Sequence, residues 1–153
     1  MVALADIRAA IVAKLEGVAN IGAVNDYERY AKKLSKFKSF YVTSGKVHGW
    51  HFRRISKRVI SPALGEVKVT NRWRITGYMS LEDKLSSEKT FDDLVEAVMA
   101  AFLADETLGG VVGATVDDDD GTAALQLDDS GPVMFAGVLC HSARLTLKTI
   151  HWE

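Results

Sequence analysis

The sequence predicts a single α+β domain, residues 1–153, in which two main helices pack on a mostly antiparallel sheet with a long β-hairpin. Three observations lead to this prediction. Two segments carry apolar residues at helical spacing, and the segments between and after them have the alternation typical of strands. The longest alternating segment, Glu66–Met79, is apolar on one side and polar on the other. The chain is 48% hydrophobic and contains no repeat or linker, so one core is expected.

The first third of the chain begins with an amphipathic helix. Its apolar residues recur at helical spacing over about residues 3–17, and Gly17 is well placed to end it. The next segment, 24–30, is either irregular or a short strand, and a polar turn rich in lysine follows. Residues 39–43 then predict a short strand.

A long hairpin is expected in the middle of the chain. Lys46–Ile60 is rich in β-forming and basic residues, and the turn Ser61–Gly65 leads back into Glu66–Met79. The second arm should be a central strand, since a shift of one residue would expose Trp73 to water. Because this arm is longer than a typical strand, we expect a bend or bulge in it near Gly77.

The last part of the chain predicts a second helix and several strands. Thr90 is expected to cap the helix, which carries carboxylates in its first turn and an apolar stripe up to about Ala104. The elements expected after it are the strand Val111–Val116, the acidic turn Asp117–Gly121, the strand Ala123–Leu127, the turn Asp128–Pro132 and the long strand Gly137–Lys148.

Several functional classes find no support in the sequence. No run of about 18 apolar residues predicts a membrane span. The acidic Asp6 and Glu16 argue against a signal peptide, and the one cysteine, Cys140, fits a buried apolar role in a protein made in a reducing cell interior. There is no phosphate-binding glycine loop, nucleophile elbow or zinc-type ligand spacing, so no cofactor, metal or catalytic residue is expected.

Two motifs allow a functional and a structural interpretation. His48 and His51 are suited to a metal or general-base site in a small hydrolase, although strand histidines of this kind are more often structural. The acidic run Asp117, Asp118, Asp119 and Asp120 offers carboxylates to calcium, but it lacks the ligand spacing of an EF-hand and is better read as a solvated turn.

Charge is divided unevenly along the chain, although the net charge is −1. Residues 29–74 hold 13 of the 19 Lys and Arg with Glu66 as their only acid, whereas residues 75–153 hold four bases and 15 acids. A solvated strand face, a protein contact and a nucleic-acid contact all fit the basic half, whose aromatic residues Tyr41, Trp50 and Phe52 would suit base stacking. The acidic half favours protein contact, including head-to-tail contact between copies. The predicted assembly surface comprises Arg53, Arg54, Lys57, Arg58, Lys68, Arg72 and Arg74, with the acidic turn Asp117, Asp118, Asp119 and Asp120 as its complement.

The order of these elements resembles a known family. The resemblance is carried by the strand Arg72–Tyr78, the polar Ser87-Glu88, the helix Phe91–Leu103 and the closing strand Gly137–His141, all after an amphipathic helix. In this respect the chain is similar to the tail-terminator and minor-tail, or neck, proteins of long-tailed bacteriophages and prophages. It departs from them in the very basic region Lys32–Arg58.

This resemblance implies a non-enzymatic virion protein made in the cytoplasm of the bacterial host. Such subunits form a ring, usually a hexamer, at the head-proximal end of the tail, where they stop growth of the tail tube. Their partners are copies of themselves, the tail tube protein and the head completion proteins. The alternative is a nucleic-acid-binding module that uses the basic face of residues 29–74, with no membrane partner in either case.

Overall fold

The strand predicted to be central, β4, lies in the middle of a six-stranded sheet. The computed structural model describes residues 2–28, 39–43, 46–82 and 86–153, and the basic run 29–38 lies outside them. Within this part of the chain, two helices and one sheet confirm the predicted α+β fold. The elements are α1 (Leu4–Glu16), β1 (Ala23–Asn25), β2 (Val42–Thr43), β3 (Lys46–Ile60), β4 (Lys68–Ser80), α2 (Ser87–Leu103), β5 (Leu125–Phe135) and β6 (Val138–Trp152).

The strand order is β1-β3-β4-β6-β5, and β2 pairs with the start of β3. All neighbours are antiparallel except β1, which runs parallel to β3. The predicted hairpin is present, since β3 and β4 pair from His48↔Met79 to Ile60↔Lys68. β4 is also paired with β6 along its whole length, so the hairpin is supported by the rest of the sheet.

The register shifts of the sheet lie in β3 and β5, on either side of the central pair β4 and β6. We expected a bulge in β4 near Gly77, but the ladder between β4 and β6 has no register shift. The shifts occur in β3, between Arg54 and Ser56, and in β5, between Leu127 and Asp129. Gly77 has another function: a Cβ added there would lie 2.6 Å from the indole of Trp50, which faces it across the ladder.

Both helices cover one side of the sheet, here called the inner face. The core lies between them, and Trp73 donates a hydrogen bond from Nε1 to Thr149 Oγ1 at 3.0 Å inside it. Its largest fully buried side chains are Ile7, Ile11 and Leu15 of α1, Phe91 and Phe102 of α2, and Trp50, Phe52, Trp73, Ile75, Leu145 and Leu147 of the sheet.

A smaller cluster is buried on the opposite, outer face. It consists of Tyr41, Val47, Phe135 and Cys140, so the buried position predicted for the cysteine is confirmed. The ring of Tyr41 makes an edge contact with Phe135 at a centroid distance of 5.0 Å. The segment before β2 thereby covers one end of the outer face.

Two predictions for the second half of the chain are wrong. Residues 111–116 form no strand and contribute only isolated bridges, such as Ala114↔Ile150. The predicted turn Asp128–Pro132 lies inside β5, because an edge strand tolerates glycine and proline. The chain reverses instead at Ala136 and Gly137, both of which have positive φ.

The boundaries of other elements also differ from expectation. α2 begins at Ser87, so Thr90 lies within its first turn and Ser86 is the capping residue. Strand structure in the predicted segments 24–30 and 39–43 is limited to β1 and the two residues of β2. Residues 29 and 30 lie outside the described part of the chain.

Candidate assembly surface

The seven predicted cations lie on both faces of the sheet. Directly paired residues of antiparallel strands share a face. Arg53 pairs with Arg74 and Arg58 with Thr70, which places both on the outer face, together with Lys68 and Arg72. Arg54 instead pairs with Trp73 and Lys57 with Asn71, which places them on the inner face. The register shift between Arg54 and Ser56 places Lys57 on the inner face and Arg58 on the outer face, the reverse of what regular alternation would give.

Lys68 belongs to an internal ion pair. The residue is only 5% exposed, and its Nζ lies 3.1 Å from Asp118 Oδ1 and 3.7 Å from Asp119 Oδ2. The hydrogen bond to Asp118 raises the pKa of Lys68 above its usual value. The ammonium also lies 5.7 Å from the centre of the Trp152 ring. Lys68 is therefore not available to a partner.

The acidic turn folds onto the outer face of its own chain. Lys148 Nζ donates to Asp117 Oδ2 at 2.7 Å and also to Asp120. These hydrogen bonds hold the pKa of Asp117 and of Asp120 below the usual value of a carboxyl group. The turn is closed by Asp117 N–H, which donates to the carbonyl of Thr122 at 2.8 Å. Two lysines of the sheet thus neutralise much of the charge that we expected to face a neighbouring copy.

A calcium site gains little support from this geometry. Oxygens of Asp117, Asp118 and Asp119 lie within 4.8 Å of one another, a spacing that a cation could bridge. However, Lys68 and Lys148 already donate hydrogen bonds to these carboxylates.

Sequence reasoning missed the role of Lys148. Its place on the polar face of the last strand was a usable signal, and in the structure it pairs with Arg72 of β4.

Two outer-face arginines are also paired within the chain. Arg74 Nη1 donates to Asp128 Oδ2 at 3.0 Å, and Asp128 accepts a second hydrogen bond from Thr146. Arg53 Nε lies 3.3 Å from Glu28 Oε2. Both guanidiniums therefore have intramolecular counterions on the outer face.

The second half of β3 along the chain, residues 53–60, is here called the basic edge. It pairs with β4 on one side, and no other described strand lies on its free side. Arg54, Lys57 and Arg58 are exposed there, and none of them forms an ion pair with a carboxylate of the described residues. Arg54 donates only to the amide oxygen of Asn71, at 3.3 Å.

The aromatic residues expected to stack nucleic-acid bases are inaccessible. Trp50 and Phe52 are fully buried in the main core, and Tyr41 is buried in the outer cluster. Trp50 and Phe52 are two positions apart in β3, so they share one face of the strand, and that face packs against the helices. The interpretation of these rings as a stacking platform is therefore wrong.

The two candidate histidines are not brought together. His48 and His51 differ by an odd number of positions in one strand, so their side chains lie on opposite faces. His48 Nε2 is 2.6 Å from the carbonyl oxygen of Asn20. His51 is stacked on Tyr78 at 5.9 Å, and burial lowers the pKa of its imidazole. The alternative interpretation of His48 and His51 as one metal or general-base site, which the sequence favours less than a structural role, is therefore wrong.

A groove of about 260 Å³ lies on the outer face beside His51. Arg53, Arg74 and Arg144 line it together with Tyr78, and burial raises the pKa of the Tyr78 hydroxyl to about 12. Because Arg53 and Arg74 are ion-paired within the chain, the groove carries less positive charge than its residues suggest. The basic edge is the better candidate for contact with a partner.

Neither of the described helices combines the length and hydropathy needed to cross a bilayer. α1 has 13 residues and α2 has 17. The sequence matches no protein-family model and no curated protein. The surface geometry and the order of the elements are therefore the basis on which a function is proposed.

Proposed function

We propose that this protein is a structural subunit of the tail of a long-tailed phage or prophage. It assembles with copies of itself into a ring, a hexamer by analogy, at the head-proximal end of the tail. There it stops growth of the tail tube and forms the surface to which the head completion proteins bind. The virion is accordingly its final location.

The single observation that carries this proposal is the basic edge. Arg54, Lys57 and Arg58 of this edge have no carboxylate partners among the described residues, although the rest of the chain is rich in acids. When one subunit carries unpaired cations on one surface and acids on another, contact between these two different surfaces of neighbouring copies is favoured. Contacts of this head-to-tail type close into rings when the rotation between copies allows it.

The experiment is to mix the purified protein with phage tails that lack their terminator and to image them by negative-stain electron microscopy. We expect tails of uniform length with a ring at one end. Reversing the basic edge with Arg54→Glu, Lys57→Glu and Arg58→Glu should abolish both features. The matched control is Arg144→Glu, an exposed arginine of β6 outside the basic edge, which should retain them. Over-long tails without rings in the presence of the natural protein would contradict the tail role.

Nucleic-acid binding is the second candidate, and the exposed cations of the basic edge favour it. With the aromatic residues buried, such binding would depend on phosphate contacts alone and would weaken steeply with salt. Titration of labelled DNA and RNA at about 50 mM salt tests it. Binding that disappears on reversal of the basic edge would support this candidate, and an absence of binding would remove it.

A further inference from the structure

One solvent-exposed side of α2 forms an acidic stripe. Glu88, Asp92 and Glu96 are exposed and spaced four residues apart, so they lie in a line along the helix. None of them forms an ion pair within the described part of the chain, and like charges at this spacing repel one another. Further along the same line lies Leu103, whose residue surface is 64% exposed.

The inner-face side of the basic edge carries the complementary sequence of groups. Arg54 and Lys57 come first, and Val59, which is 56% exposed, follows them on the same face. The turn beyond β3 then presents Leu64, which is fully exposed. This surface thus runs from cationic to apolar, and the α2 stripe runs from acidic to apolar.

The two surfaces also agree in dimensions. At about 3.3 Å per strand residue, Arg54 and Lys57 are separated by about 10 Å. At about 1.5 Å per helical residue, Glu88 and Glu96 are separated by about 12 Å. Two cations can therefore face two carboxylates while the apolar side chains at the far end of each surface come together.

The two surfaces are not paired within one molecule. The neighbouring side of α2, which includes Phe91, Val98 and Phe102, packs on the sheet, and the acidic stripe lies exposed on the flank of the helix. Arg54 and Lys57 point to the inner face of the sheet edge and form no ion pair with the stripe. Only a second copy can bring the two surfaces into contact.

We propose that the inner side of the basic edge of one copy, with the hairpin tip at Leu64, binds the acidic stripe of α2 in a second copy. The proposal rests on the self-assembly in the proposed function and names the contact that produces it. Each copy has one basic edge and one acidic stripe, so the contact is head-to-tail. It relieves the repulsion among the carboxylates of α2 and among the cations of β3.

The test uses two charge-reversed proteins. One carries Arg54→Glu and Lys57→Glu, and the other carries Glu88→Lys and Glu96→Lys. Each alone should lose the assembly that the natural protein forms, as measured by sedimentation velocity at about 50 mM salt, where screening is moderate. An equimolar mixture should assemble again, because each reversed edge matches a reversed stripe and each natural edge matches a natural stripe.

The matched control is Arg58→Glu, which reverses a charge on the outer side of the same strand and should leave assembly unchanged. Circular dichroism of every variant checks that the fold is retained. Three results would overturn the contact: a natural protein that stays monomeric at every concentration, assembly that survives either reversal, or a mixture that does not assemble.

Failure of the contact and failure of the tail role are distinguishable. If the natural protein caps tails but both reversed proteins cap them equally well, the contact is wrong and the tail role remains. If sedimentation shows the contact and its rescue but tails are never capped, the contact remains and the tail role is wrong.

Discussion

Position 77 requires glycine because of the side chain opposite it, not because of an unusual backbone conformation. Trp50 is fully buried, and its indole occupies the space that a Cβ at position 77 would need. The indole cannot move aside without disturbing Phe91, which stacks on it at a centroid distance of 6.3 Å. The missing side chain at position 77 thus leaves the space that the indole of Trp50 occupies.

We expect Gly77→Ala to lower the free energy of unfolding by about 1–3 kcal/mol, the usual cost of overpacking a core. Urea denaturation followed by tryptophan fluorescence measures the change. The control is Gly131→Ala in β5, where an added Cβ meets no atom within 4 Å and which should unfold almost like the natural protein. Equal stability of both variants would show that the indole can be displaced at low cost.

At the scale of the elements, the start of α2 depends on one hydroxyl group. Ser87 is buried, and its Oγ accepts a hydrogen bond from the backbone N–H of Glu82 at 2.7 Å. The same Oγ is 2.8 Å from Nε2 of His141 in β6. One side chain therefore connects the segment before the helix, the helix and the sheet.

Replacing Ser87 with Ala should lower the free energy of unfolding by about 1–3 kcal/mol, because the half-buried N–H of Glu82 and the buried imidazole of His141 each lose a partner. Thermal and urea unfolding measure this loss. Thr90→Ala is the control, since Thr90 is exposed in the first turn. A loss at position 90 that equals the loss at position 87 would contradict the importance of the buried hydroxyl.

Sequence patterns predicted the elements well where one periodicity is uninterrupted. The alternation in β4 and the apolar stripe of α2 identified both elements and their buried sides. The turn signal of Asp128–Pro132 misled because an edge strand needs no hydrogen-bond donor on its free side. The bulge in β3 had no local signal, and it decides on which face Lys57 and Arg58 lie. The composition of the candidate surface was therefore predictable, whereas its division between two faces was not.

At the scale of the whole molecule, the charge division along the sequence is partly cancelled by folding. The acidic turn 117–120 returns to β4 and β6, where Lys68 and Lys148 hold it. Charge is thus partly balanced on the outer face but left unbalanced on the basic edge and on the acidic stripe of α2. Sequence separation gave no indication of which acids would be neutralised.

The ion pairs of the acidic turn predict a specific response to pH. Because Lys148 lowers the pKa of Asp117 and Asp120 in the folded state, their stabilising effect is complete above the unfolded-state pKa of about 4. It is lost as the pH falls from there through the lowered folded-state values. Lys148→Gln should therefore lower the urea midpoint clearly at about pH 6, and this difference should shrink toward about pH 2.

Measuring urea midpoints of both proteins across this range tests the prediction, since acid effects common to the whole chain cancel in the comparison. Lys57→Gln provides the control, because Lys57 is exposed and has no ion pair with a carboxylate of the described residues, so its effect on the urea midpoint should not change over this pH range. A difference between the natural protein and Lys148→Gln that stays constant with pH would contradict the assigned ion pairs.

The irregularities in β3 and β5 restrict how a neighbouring chain could add to the sheet. β3 carries a bulge beside Arg54, and β5 carries a bulge beside Asp128 as well as Pro132. Such interruptions, with charged residues at the edge, prevent a neighbouring chain from extending the sheet by backbone hydrogen bonds. Copies at high concentration are thus protected from fibril growth, and association is left to side-chain contacts that salt can reverse.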